Sequence, residues 1–170
     1  GNKNTSGTGA ASGTTINPSG STAVSGVRVF RSYPTVARSS TGMSSTLIAQ
    51  SGIDLYRFSI AASAGGQGIA LTRLTINVAT SSVSTTNGTT SVTNLKVYAY
   101  TGSDFSTGPI SGFTAGQIVA TLAGLVSGGD NVASTSAIVT VPAGTTYYFK
   151  VVGDVAQVAG STGAAGSVTT

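Results

Sequence analysis

Apolar residues in this chain recur at every second position and not at every third and fourth. In IDLYRFSIAAS (residues 53–63), Tyr56, Phe58 and Ile60 fall on one side and Arg57 and Ser59 on the other. In IALTRLTINVAT (69–80), Leu74, Ile76 and Val78 alternate with Thr75 and Asn77. VTNLKVYAY (92–100) sets Leu95, Val97 and Ala99 against Lys96, Tyr98 and Tyr100. That period belongs to a half-buried strand, and β-branched residues dominate it. GVRVFRS (26–32, ended by Pro34), GQIVATLAG (116–124, with Ile118, Ala120 and Leu122 inward), AIVTV (137–141) and TYYFKVV (146–152) complete the set. About seven strands with turn signals between them predict an all-β antiparallel sandwich. The lack of helical segments between strands argues against a parallel α/β sheet.

Only 7% of the residues are charged, against about 25% in ordinary domains, and there is no Glu. Ser and Thr supply 52 residues and Gly another 24, so hydroxyls and backbone carry the solubility. This suits an extracellular or surface-assembled protein better than a cytosolic enzyme. The net charge of +4 is a small excess in a nearly uncharged chain. Arg28, Arg31 and Arg38 are the nearest thing to a basic cluster. They read as charges that blunt an edge strand, or as contacts for an anionic glycan. A nucleic-acid partner would call for a denser cluster, and none is expected. No apolar run reaches the roughly 18 residues a membrane helix needs.

The first 23 residues, GNKNTSGTGAASGTTINPSGSTA, hold too few apolar side chains to offset chain entropy. They predict a flexible Gly/Ser/Thr-rich arm or linker over 1–23, followed by a sandwich domain over 24–158. Residues 159–170 read as a similar tail or the start of a following segment. The chain begins at Gly1 rather than Met, and is read as processed or as a piece of a longer protein.

VPAGTTYYFKVVGDV (141–155) joins a Pro-Ala-Gly corner to an alternating strand. Pro142 cannot donate to a ladder, and Gly144 permits positive φ. Tyr147, Phe149 and Val151 share one face. This stretch resembles the tyrosine corner of immunoglobulin-like and fibronectin-type sandwiches, which implies a corner built from Pro142, Gly144 and Tyr147. GIDLYRFSIAASAGGQGIALTRLTINVAT with VTNLKVYAYTGSDF is similar to sandwich modules of bacterial cell-surface and S-layer-type proteins. Immunoglobulin modules usually close with a last strand after the tyrosine strand. Here only DVAQV and GSVTT remain, so a weak or missing closing strand is expected. An unclosed sandwich would accept a strand, and the arm with Ile16 and Val24 could donate one to a neighbour or serve as a linker.

Zero Cys excludes disulfides and thiolate sites, and zero His and Glu exclude a Ser-His-Asp triad. Lys3, Lys96 and Lys150 fall in a tail and on outward strand faces. Asp54, Asp104, Asp130 and Asp154 are scattered. No catalytic residue, cofactor or metal is expected, since one Asp per loop in TGSDFSTG and SGGDNVAS suits turn hydrogen bonding better than calcium. Tyr98 and Tyr100 are candidate sugar-stacking rings, with cross-strand packing as the competing reading. Asn4 and Asn87 open glycosylation sequons, and Asn87-Gly88 is also a hairpin signal. PISGFTAGQIVATLAGLV (109–126), with Phe113, is a candidate contact surface.

The expected function is that of a non-catalytic extracellular structural protein: a subunit or module of a self-assembling surface layer, filament or stalk. Its partners would be copies of itself or adjacent domains of a longer surface protein, with cell-wall or surface glycans as further ligands. The alternative is an adhesin or carbohydrate-binding module.

Overall fold

The computed structural model describes residues 7–8, 10–16, 32–43, 49–82, 90–119, 122, 125–157 and 166–169. It divides into two compact units, Gly1–Phe30 and Arg31–Thr170. In the first, β1 (Gly7–Thr8) pairs antiparallel with β2 (Thr15–Ile16). The expected strand over 26–32 lies outside the described residues apart from Ser32.

The second unit is all-β and antiparallel. Its larger sheet runs β3 (Pro34–Ser39), β4 (Gln50–Ala62), β9 (Thr146–Gln157), β7 (Thr90–Tyr100), each pair antiparallel. Pro34 opens the outermost of these strands, a position where its missing N–H costs no ladder bond. Opposite lies the pair β5 (Ile69–Asn77) and β8 (Asp130–Val141). A third pair joins β6 (Ala79–Ser82) to β10 (Gly166–Thr169). The C-terminal stretch read as a tail thus contributes a strand, and DVAQ extends β9.

The pairing is nested: β4 with β9, and β5 with β8 inside it. The tyrosine strand β9 therefore shares a sheet with β4 and β7. In an immunoglobulin domain the penultimate strand shares a sheet with the third.

Inward residues of both sheets form one buried cluster. Phe58 and Ile60 of β4, Leu95, Val97 and Ala99 of β7, and Phe149 and Val151 of β9 meet Ile76 of β5 and Ala133 and Val139 of β8. Phe58 and Phe149 stack at 5.1 Å and 11°. Each large side chain buried this way contributes about 1.5–3 kcal/mol. Gly144, at φ +71, turns β8 into β9.

Among the described residues of the expected strand 116–124, Gln117, Val119 and Leu122 make isolated bridges to neighbouring strands, and Ala120 lies outside the described residues. The segment stitches two sheets together. Ile118 N donates to the Val97 carbonyl at 2.9 Å and Leu122 N to the Leu95 carbonyl at 3.0 Å, while Ser136 N donates to the Ile118 carbonyl at 2.8 Å. Lying between two sheet edges, it buries both Ile118 and its neighbour Val119, which a one-sided strand would not do. Phe113 packs half-buried against the core and Ile118 and Val119 are buried, while Val126 is 61% exposed, so the core takes up only part of this run.

Candidate interaction faces

Each sheet has an outward face, and the two differ in what they carry. On the larger sheet the register places Arg57 opposite Lys150, Lys150 opposite Tyr98, and Tyr148 opposite Tyr100. Two cations directly opposite repel. A bulge in β4 supplies the remedy. Leu55 and Tyr56 both fall against Val151 and pack on the core, so Asp54 and Arg57, three apart, emerge on the same outward face. Asp54 Oδ2 then accepts from Arg57 Nε at 3.0 Å and from Nη2, while Oδ1 lies 4.0 Å from Lys150 Nζ. The Thr41 carbonyl accepts from Arg57 Nη1 at 2.7 Å.

The loop TGSDFSTG (101–108) folds over this face. Asp104 Oδ1 accepts from Thr107 N at 2.9 Å, Thr107 Oγ1 at 2.8 Å and Ser106 N at 3.2 Å, and Oδ2 accepts from Ser106 Oγ at 2.7 Å. These donors, led by the Thr107 N–H, hold the Asp104 carboxyl far below the usual carboxylate range. The loop closes through Thr101 N to the Gly108 carbonyl at 2.8 Å, with Gly108 at φ +65. Its tip aims Phe105 downward at φ +59, an unfavourable backbone region for an aromatic residue. Burial offsets that strain: Phe105 is 2% exposed, edge-on to Tyr148 at 5.6 Å, with the Arg57 guanidinium 5.0 Å from its ring centroid.

Tyr98 and Tyr100 do share this face. Lys150 Nζ lies 5.7 Å from the Tyr98 centroid and 5.4 Å from that of Tyr100. Tyr100 is only 7% exposed, which leaves little ring for a sugar; Tyr98 is half-buried. Burial foremost, with Tyr98 and Asp54 nearby, raises the Tyr100 hydroxyl above its ordinary pKa. At one end of the sheet Asp154 accepts from Asn94 Nδ2 at 2.7 Å and Gly52 N at 2.8 Å, pinning bulges of β7 and β4. The Asn94 bond, then the Gly52 bond, lowers its pKa.

Pro142 follows β8, and Tyr147 lies half-buried against the core, paired with Ile60 across the sheet. Among the described residues the Tyr147 hydroxyl makes no hydrogen bond to upstream backbone. Arg38 sits on β3 with its guanidinium 5.8 Å from the Tyr56 ring. Asn4, Asn87, Lys3, Arg28 and Arg31 lie outside the described residues.

The outward face of β5 and β8 is bare by comparison. Ala70, Arg73, Thr75 and Asn77 from β5 and Asp130, Val132, Ser134, Ile138 and Thr140 from β8 are all exposed. Val132 is 48% and Ile138 64% exposed. Among the described residues the side chains of Arg73 and Asp130 have no hydrogen-bond, ion-pair or ring partner. The turn hydrogen bond expected of Asp130 in SGGDNVAS is not made among the described residues, and its neighbour Asn131 makes the bonds of that turn instead.

A cleft of about 200 Å³ is lined by Val78, Thr80, Thr90, Ser91, Val92, Leu125 and Ser127, none of them ionisable. Asn131 closes the neighbouring turn, accepting from Val126 N at 2.8 Å and donating to the Val126 and Gly129 carbonyls. Among the described residues no three His, Cys, Asp or Glu gather as a metal set, and no helix is long and apolar enough to cross a membrane. No protein-family model, curated protein or solved structure matches the chain.

Proposed function

We propose that this chain is a non-catalytic structural module of an extracellular surface layer, filament or stalk, working by association with copies of itself or adjacent domains. The observation that carries this is the outward face of β5 and β8. It presents hydroxyls and exposed Val132 and Ile138, with two charges only among the described residues. A sheet face so poor in charge lacks the usual defence against association.

The fold reading is a two-layer antiparallel sandwich, immunoglobulin-like in its layers. It rests on the core shared between the sheets. The nested pairing of β4–β9 around β5–β8 favours a jelly-roll winding of those layers. The extracellular location rests on composition: a charge-poor, Ser/Thr-rich chain without Cys.

Sedimentation and negative-stain imaging of the purified protein over a concentration range test the reading. Concentration-dependent oligomers or regular polymers are the expected result, and a monomer at every concentration overturns it. The alternative, a carbohydrate-binding module, rests on the half-buried Tyr98 flanked by Lys150. Monomers retained on a glycan column, and released by Tyr98→Ala, would favour it.

A further inference from the structure

We infer that the outward face of β5–β8 docks on the same face of a second copy, about a two-fold axis that sets Arg73 of each copy against Asp130 of the other. This rests on the self-association reading and names the contact.

The register gives the patch its geometry. Asn77 pairs with Asp130, Thr75 with Val132, and Arg73 with Ser134. These are three successive outward rungs of one ladder. Arg73 stands on β5 at one end, Asp130 on β8 at the other, and Thr75–Val132 lies between them. Four residues of strand separate the outer rungs, about 13 Å at about 3.3 Å per residue. That exceeds the reach of an ion pair within the chain, and also a screening length of about 8 Å in physiological salt. Both charges are exposed, and neither side chain has a partner among the described residues. The two ion pairs among the described residues are made elsewhere, on Asp54.

One positive and one negative charge at opposite corners of a patch form a self-complementary pattern. An acidic or basic partner would match one corner and clash with the other. A copy of the same face matches both at once, as an isologous interface requires. The axis that exchanges the corners lies in the contact plane, perpendicular to the Arg73–Asp130 diagonal, through the Thr75–Val132 rung. With strands about 4.8 Å apart, it leaves the strands of the two copies crossing about 40° from antiparallel. Twisted sheets stack face to face at about 30°, an angle of similar size. The axis also brings Val132, 48% exposed, onto Val132 of the other copy, giving the contact an apolar centre with charge-paired corners.

A two-stranded face is smaller than the roughly 800 Å² per partner of a standard interface. The dimer is therefore weak, and the contact fits a repeated link in an array rather than a stand-alone pair.

Sedimentation equilibrium tests the contact with wild type, Arg73→Asp, Asp130→Arg and the double reversal. Each single reversal should weaken association at least tenfold, and the double reversal should restore it to within a few-fold of wild type. Val132→Lys, which sets like charges together on the axis, should abolish it. Circular dichroism confirms that the variants fold. If wild type associates and the single reversals match it, this contact is wrong while self-association stands. A double reversal as weak as the singles also overturns the pairing. A wild type that stays monomeric at every concentration sinks the self-association reading and this contact with it.

Discussion

The two outward faces of the unit Arg31–Thr170 resolve the same problem in opposite ways. The larger sheet gathers Arg57, Lys150, Asp54, Tyr98, Tyr100 and Tyr148, then satisfies them locally with a shared carboxylate and a loop that buries Phe105. The β5–β8 pair keeps few interacting groups and leaves Arg73 and Asp130 without side-chain partners among the described residues. A face whose charges are already paired has little left to offer a neighbour. A face whose charges are unpaired keeps its full interaction energy for one. In a chain this poor in charge, the placement of the ion pairs is what singles out the β5–β8 side in the proposed association.

The largest expected effect separates the faces directly. Phe105→Ala should cost about 3 kcal/mol of stability, as truncation of a buried aromatic does, whereas Ile138→Ala should cost less than about 0.5 kcal/mol. Urea unfolding of both variants measures this, and equal costs would break the contrast. Asp54→Asn comes next. It removes the counter-ion shared by Arg57 and Lys150, whose side chains face it at 14% and 21% exposure, and should cost about 1–3 kcal/mol. A lowered thermal midpoint would show it, while Asp130→Asn should leave that midpoint unchanged.

A smaller effect is set by pH. Asp104 and Asp154 bind a proton less readily folded than unfolded. Their contribution to stability is therefore complete above the ordinary carboxylate pKa of about 3.9, and is lost as pH falls through the lower folded values. Carboxyl titration by NMR should place both midpoints below that value, with Asp104 the lower. Asp104→Asn should flatten the acid limb of the stability profile. The smallest effect belongs to the bare face: Val132→Thr should shift monomer stability by less than about 0.5 kcal/mol. The same urea titration checks it at a concentration where the protein is monomeric.

Much of the core could be read from alternation. Parity sets Leu95, Val97 and Ala99 on one face of their strand and Phe149 and Val151 on one face of theirs, and all five are fully buried. The site was less legible. Asp54 and Arg57 sit three apart, which in an unbroken strand puts them on opposite faces. Only the Leu55–Tyr56 bulge brings them together, and it lies in the pairing of β4 with Val151, about a hundred residues away in sequence. The loop TGSDFSTG shows an Asp followed by Ser and Thr, enough to foresee a hydrogen-bonded turn. Nothing local tells that Phe105 will roof the face formed by Tyr148 and Arg57. Likewise, GSVT looked like tail because a four-residue strand with one large apolar side chain is stable only once β6 is beside it.

By itself the amino-acid order determined the strand character of the chain, most of its inward residues, and the types of chemistry closed to it. Those follow from side-chain parity and residue inventory, which are local properties. The tertiary structure alone decided which strands are neighbours, where parity slips, and which charges find partners. Backbone hydrogen bonds between strands are nearly blind to side-chain identity. The choice among pairings is made by packing the whole core at once, and the fate of every outward charge follows from that choice.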